Sequence, residues 1–452
     1  MTTTAPPATA AAPTADRARR GHLRLIIAGS LLTGLLLAAV LPLVVFGSGS
    51  EAVITGSALL GFAVGWAMLA LLTSRRTTQP QRWAWVPAGA LGATGVGLLV
   101  TTPDDPALTA AGWVWPPLLL ALAVWMGIRV HRSLAAGSGR WLLYPVVALT
   151  AAAAVGGAVE TIGLASDRSS YAMPGRLFDV GGHQLHLNCT GSGGPTVVLM
   201  SGLGGNSAGW ARIAPAVAAT TRVCAYDRAG QGWSEDAADP QDGVAAAADL
   251  HSLLDAAGED GPFVVVGHSI GGDYAMVYAD RHPEQVAGMV LLDATSPYRT
   301  AAGTVHAGPP GPVAVVPSLT RLGVGRLFPP SSWSALPEPA ASQYTAFAAS
   351  PRGWRNTVDE TGTMPALLSQ AQELSTLGSA PLVVLSAAGL DADPVRADAH
   401  NRMADLSTNS SQRQADAPHS GLLDEEGGSA ESVQAIDDTV QAVRTGGTLP
   451  AG

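Results

Sequence analysis

The stretch Val264-Val265-Val266-Gly267-His268-Ser269-Ile270-Gly271-Gly272 joins a β-branched apolar run to a helical pattern through a serine bracketed by glycines. The run predicts a strand, and Asp273 to Arg281 predicts the helix that follows it. A serine at so sharp a turn takes a strained backbone conformation, tolerated only where the residues two positions either side are small, and its hydroxyl is pushed clear of the sheet. The stretch therefore reads as a nucleophile elbow, with Ser269 presented for reaction and the Ile270 amide aimed at the same point.

Around it lies a chain of 452 residues, 47% hydrophobic and 13% charged. That is more apolar than a soluble globular chain and long enough for more than one domain. The net charge of −10 sums an arginine-punctuated first third and an acidic remainder. No compact basic cluster lies near aromatic residues, so a nucleic-acid partner is not expected. Every basic side chain is arginine, with no lysine, a compositional bias that says nothing about chemistry.

The apolar excess has an address. After a Thr/Ala/Pro-rich tail, residues 1–22, that cannot bury a core and is expected to be disordered, five segments each match a membrane span: Leu23 to Phe46, Ala52 to Leu72, Trp83 to Val100, Gly112 to Val130 and Trp141 to Leu164. Trp83, Trp85, Trp113, Trp115 and Trp141 stand at or near their ends, where amphipathic rings favour the interface. Residues 23–164 are thus expected to form a five-helix transmembrane domain in the plasma membrane. Arg17, Arg19, Arg20 and Arg24 precede the first span, Arg75, Arg76 and Arg82 separate the second from the third, and Arg129, Arg132 and Arg140 separate the fourth from the fifth. The alternate loops carry Glu51, Asp104 and Asp105 and no arginine, so the N-terminus is expected in the cytoplasm and everything after the fifth span outside it. A cleaved signal peptide is disfavoured because the first apolar run is too long and four more candidates follow. Glu160, near the outer end of the fifth span, reads as an anchor or packing residue.

Beyond a linker, residues 165–175, short β-branched runs alternate with Ala-rich helical segments, which argues for a mostly parallel sheet with helices on both faces. Strands are expected at Arg176 to Val180, His183 to Asn188, Thr196 to Met200, Thr221 to Tyr226, Phe263 to Val266, Ala287 to Leu292, Pro381 to Leu385 and about Ser411 to Ala415. Eight strands in this spacing, with the elbow after the fifth, resemble the α/β-hydrolase fold over residues 176–452. Ser201-Gly202-Leu203-Gly204-Gly205, Tyr226-Asp227-Arg228-Ala229-Gly230-Gln231-Gly232-Trp233-Ser234 and Leu291-Leu292-Asp293-Ala294 add to the likeness. Together they look like an extracytoplasmic actinobacterial branch of that superfamily.

The resemblance implies an oxyanion hole made by the amides of Leu203 and Ile270. Each such donor contributes about 2.7 to 4 kcal/mol to transition-state stabilisation. Many relatives carry His where this chain has Ser201. A serine hydroxyl needs a base, and the superfamily order of Ser, acid, His selects His419 in Pro418-His419-Ser420-Gly421. His268 is committed to the elbow, His282 ends a helix, His400 lies within one, and His183 and His186 share an early strand. The acid should follow the seventh strand, where Gly389-Leu390-Asp391-Ala392-Asp393-Pro394 places Asp391 one residue early and Asp393 one late. Asp391 is preferred, then Asp393 as a turn former, then Asp293 after the sixth strand, where some relatives carry the acid. Asp227 and Arg228 read as scaffold beneath the elbow.

In this fold the second and fourth strands are antiparallel neighbours, which implies a disulfide between Cys189 and Cys224 and an oxidising compartment. Residues 296–380 are too long for a plain connection and imply a cap, with an irregular Gly/Pro-rich edge at Ala307 to Pro317 and a helix at Pro365 to Leu377. Trp333, Tyr344, Phe347 and Trp354 either line its pocket or form its own core. The expectation is a membrane-anchored, outward-facing serine hydrolase acting on esters of small molecules or lipid-like compounds, without metal or organic cofactor. The same triad serves amidases and peptidases, and a receptor that keeps the fold for binding alone is the rival from another class. An Asp nucleophile of the epoxide-hydrolase or dehalogenase type is disfavoured by Ser269.

Overall fold

The run Phe263–His268 is apolar without alternation because it is covered on both faces. In the computed structural model, which describes residues 13–47, 49–134, 139–298, 311–329 and 333–450, it is the fifth strand of an eight-stranded sheet. The side chains of residues 13–21, 311 and 391 are also outside the described part. Much of the tail, with Arg17, Arg19 and Arg20, therefore falls there, as does the start of the Gly/Pro-rich stretch at residues 307–310.

The chain divides into two compact units, one of Met1–Ile162 with Gly311–Val324 and one of Gly163–Pro310 with Gly325–Gly452. The sheet belongs to the second. Its strands are β1 (Arg176–Asp179), β2 (Gln184–Thr190), β3 (Val197–Met200), β4 (Val223–Tyr226), β5 (Phe263–His268), β6 (Val286–Leu292), β7 (Leu382–Ser386) and β8 (Ser410–Gln414), in the order β1-β2-β4-β3-β5-β6-β7-β8. All eight expected strands are present, and β4 to β8 run parallel with β3 among them. β2 is antiparallel to both β1 and β4. In that pairing Cys189 lies opposite Cys224, and the two form the disulfide.

The first unit contains α1 (Pro13–Val40), α2 (Glu51–Arg76), α3 (Trp85–Thr101), α4 (Asp105–Ala111), α5 (Trp115–Ser133) and most of α6 (Tyr144–Ser170). Four helical stretches, His22–Val45, Glu51–Arg76, Arg82–Thr101 and Arg140–Ser170, are long and apolar enough to cross a membrane. A fifth exists only if α4 and α5, bent by 46° at their junction, count as one. The expected span from Gly112 starts three residues later, at Trp115: Pro116 and Pro117 follow directly on it, in the first turn of a helix, the one place that tolerates their missing N–H groups. Helix α1 starts at Pro13, inside the tail expected to lack structure. Trp83 packs against Trp66 and Trp125, at 5.8 and 6.2 Å, instead of pointing outward.

Along β5 the side chains alternate between two cores. Val265 packs with Val198, Met200 and Leu291 under α8 (Gly243–Ala257) and α9 (Ile270–Arg281). Val264 and Val266 pack with Val197 and Leu199; on that face lie α7 (Ile213–Val217) and, at the C-terminal end of the chain, a long helix at Glu426–Thr445. The β6–β7 connection carries α10 (Val316–Thr320), α11 (Val324–Leu327), α12 (Ala340–Ala348) and α13 (Pro351–Ala371); α14 (Pro394–Ala404), α15 (Gly421–Asp424) and α16, the long helix just named, complete the chain. The cap helix expected from Pro365 instead begins fourteen residues earlier. Ser350 caps it, accepting from Gly353 N at 3.0 Å, and Pro351 supplies a preset first turn, so Pro365 falls inside the helix.

Candidate active site

Ser269 has φ 56° and ψ −129°, a conformation that a side chain adopts only under constraint. Its N–H donates to Leu292 O at 3.2 Å, and its carbonyl accepts from Gly272 and Thr295 at 3.0 Å each. The flanking glycines are required by space: a Cβ at Gly267 would lie 2.3 Å from Gly271 O, and one at Gly271 would lie 2.2 Å from Met200 O. A neighbour of any size would push the turn off the sheet. The serine is half-buried, and its hydroxyl makes no hydrogen bond among the described residues.

His419 reaches the elbow from the turn after β8. Its ring centroid lies 4.5 Å from that of His268, whose Nε2–H donates to His419 O at 3.0 Å. Burial, then the neighbouring His419 charge, pushes His268 down to about 3. His268 therefore stays neutral and braces the His419 backbone.

The carboxylate that meets His419 is Asp293, with Oδ2 at 2.5 Å from Nδ1. Of the three candidate acids, Asp293 is the one whose described side chain meets His419. Asp293 stands at the end of β6 with φ 42°, its N–H donating to Leu385 O at 2.7 Å. Its other oxygen accepts from Ala387 N at 3.0 Å and from the Arg396 guanidinium. Burial works to raise this carboxyl, but the hydrogen bonds from His419 and Ala387 and the charges of His419 and Arg396 hold it well below the usual carboxylate range. Asp393 has a different task, capping α14 by accepting from Arg396 N at 3.0 Å. The Asp391 backbone lies in the turn Leu390–Ala392, and its side chain is outside the described residues.

Ile270 opens α9, so its N–H has no partner within the helix. Gly202 approaches the nucleophile so closely that a Cβ there would lie 3.0 Å from Ser269 Cβ. Leu203 follows it on the same loop. That loop is held by groups the sequence did not assign to it. Arg228, 5% exposed, donates to Ser201 O at 2.5 Å and Gly202 O at 2.8 Å, and to Glu360 on α13. Glu360 in turn accepts from Gly204 N at 2.7 Å. Trp210 Nε1 donates to Ser201 Oγ at 2.9 Å, a support for the loop from outside it. Asp227 is scaffold, accepting from Ser207 N at 2.5 Å and Trp233 N at 3.0 Å.

Of the four cap aromatics, Trp333 stands edge-on to His268 at 5.8 Å, while Tyr344 is buried with Leu336 and Ala341. Phe347 packs on Trp233 at 5.1 Å. Asp273, four residues past the nucleophile, is fully buried with neither carboxylate oxygen hydrogen-bonded, and burial pushes its carboxyl well above the usual range. No sequence signal marked it beyond an acid in an apolar helix.

Residues 195–314 match a protein family described as having the alpha/beta hydrolase fold. Most of that match lies in the second unit, which holds the eight-stranded sheet. A 2-hydroxy-6-oxononadienedioate/2-hydroxy-6-oxononatrienedioate hydrolase of Dechloromonas aromatica is 36% identical over 118 residues, 24% of this chain and 39% of that protein. The lipase LipV of Mycobacterium tuberculosis is 43% identical over 110 residues, 24% of this chain and 41% of that one. The chain spans less than half the length of these curated relatives. Among solved structures, an epoxide hydrolase, CorEH, aligns at a TM-score of 0.46 with 19% identity, covering 58% of this chain and 96% of its own.

Proposed function

We propose that this alpha/beta hydrolase is a serine hydrolase of carboxylic esters, held in a membrane by its N-terminal helices and facing away from the cytoplasm. The observation that carries the reading is the Asp293–His419 hydrogen bond of 2.5 Å beside a strained Ser269. Asp293 fixes the imidazole with Nδ1 protonated, so that Nε2 is free to take a proton. Ser269 Oγ then attacks the ester carbonyl as its proton passes to His419. The C–O π pair becomes an oxyanion facing the Leu203 and Ile270 amides. Collapse expels the alcohol, which takes the proton from His419, and leaves an acyl-serine. Water, deprotonated by His419, releases the acid and restores the serine.

The outward orientation is supported by the arginine-free loops that carry Glu51 and Asp105 and by the Cys189–Cys224 disulfide, which persists in an oxidising compartment. An impermeant fluorophosphonate applied to intact cells tests both halves. Labelling of wild type and none of Ser269→Ala is expected. Labelling only after lysis would overturn the orientation, and unchanged ester turnover by Ser269→Ala would overturn the mechanism.

A further inference from the structure

The β6–β7 connection is where this fold carries its cap, yet its middle, Gly311–Val324, packs with the N-terminal helices. The chain leaves the hydrolase unit after Pro310 and re-enters it at Gly325. Within the helical unit this segment is seated by ionic contacts. Arg321 Nε donates to Glu51 Oε1 at 2.5 Å, and its Nη2 reaches Glu51 Oε2 at 2.7 Å and Asp105 Oδ1 at 2.8 Å. The three side chains are 13%, 3% and 6% exposed.

Glu51 and Asp105 are the first residues of α2 and α4, where the helix dipole favours an anion. A guanidinium bridging two such carboxylates, largely out of water, is a directional fastening: losing one partner strands a buried charge. The neighbours agree. The Thr55 and Ser318 hydroxyls are 2.7 Å apart, Pro317 and Thr320 are buried, and a Cβ at Gly156 on α6 would lie 2.1 Å from Leu322 O. Both acids sit at helix ends that the arginine pattern assigns to the outside.

A connection that merely closed over a soluble molecule would need no fixed point on lipid-embedded helices. This one has such a point, and apolar side chains stand exposed around it in the sequence: Val313 and Leu319 within the seated segment, and Leu327 and Phe328, 73% and 77% exposed, just after it. Side chains of this kind are unfavourable in water and at home against acyl chains. We infer that the Arg321 clasp seats the Gly311–Val324 stretch of the β6–β7 connection on the helical unit, at the first residues of α2 and α4, and that the substrate is an ester-bearing amphiphile resident in the bilayer. The inference rests on the serine-hydrolase reading for its substrate and on Arg321, Glu51 and Asp105 for the clasp.

The test uses the full chain in phosphatidylcholine vesicles with two esters, water-soluble p-nitrophenyl butyrate and bilayer-held 4-methylumbelliferyl oleate. Arg321→Gln is expected to lower kcat/KM about tenfold for the oleate while leaving the butyrate within about twofold, with Arg321→Lys between. Leu327→Ser with Phe328→Ser should raise KM for the oleate alone. An equal fall on both esters, or no fall on either, would overturn the substrate inference, as would a wild type that cleaves butyrate but not oleate. The clasp is read without turnover: a Thr55→Cys/Ser318→Cys pair should cross-link, found as a linked peptide by mass spectrometry, and Arg321→Glu should abolish the link. No link in the otherwise native chain overturns the clasp. A wild type inactive on both esters with the link intact would refute the hydrolase reading, and the substrate half with it, while leaving the clasp established.

Discussion

In the proposed mechanism Asp293 is the residue on which the chemistry turns, because a carboxylate held ionised at the Nδ1 side of His419 decides which imidazole nitrogen is free. Asp293→Asn keeps the shape but turns the hydrogen bond around, and should lower kcat about 10³- to 10⁴-fold in a steady-state ester assay. Asp391→Asn should change it little. The two buried acids of the site also respond to pH in opposite senses. Asp293 is depressed in the folded chain, so its contribution to stability is full above the ordinary carboxylate pKa and is lost as pH falls through the folded value. Asp273 is raised, so the folded state holds its proton longer than the unfolded one, and stability falls as pH rises above about 4, the unfolded value. Asp273→Asn should therefore melt higher than wild type at pH 7.5, with the gap closing toward pH 4, in thermal unfolding followed by fluorescence. The sharp turn at Ser269 was legible because the local pattern of strand, glycines and helix specifies it, and chain order pointed to His419. The acid was less so: the motif after β7 offers two carboxylates at nearly the right offset, and only the folded sheet brings the end of β6 to His419.

At the scale of elements, the strands could be read almost to the residue because parallel strands buried on both faces leave continuous apolar runs. The Cys189–Cys224 pairing followed from the same order. What no pattern announced is the way α13 grips the oxyanion loop. Glu360 is an acid on a helix of the cap, 156 residues from Gly204, and long-range ion pairs leave no periodic trace. In the proposed mechanism its contacts make it a positioning residue, holding the loop that carries Leu203 through Gly204 and Arg228. Glu360→Gln keeps a hydrogen-bond acceptor but removes the charge that faces Arg228, and should lower kcat about tenfold with KM nearly unchanged. An equal loss in a variant such as Thr361→Ala, which points to no loop atom, would reduce Glu360 to a general stabiliser of α13.

For the molecule as a whole, the parity of the spans carries the argument. Four continuous helices would return the hydrolase unit to the side of the N-terminus, whereas four plus the bent α4–α5 pair deliver it to the other. Sequence periodicity could not decide this, because the span read from Gly112 begins where the chain turns between α4 and α5, and the short α4 before it reads as part of a loop. Three observations favour five crossings. The arginines alternate in the way five require, the only two cysteines are joined, and Arg321, from the C-terminal half, binds Glu51 and Asp105 at the helix ends that five crossings put outside. Epitope tags should then sort cleanly on intact cells. One placed at Met1 and one inserted before Gly139 should resist added protease, and one after Leu449 should be lost to it. If the Leu449 tag is protected, the pair is a re-entrant loop and the hydrolase lies in the cytoplasm. The same cells should then yield Cys189 and Cys224 as alkylatable thiols, so the two measurements must change together.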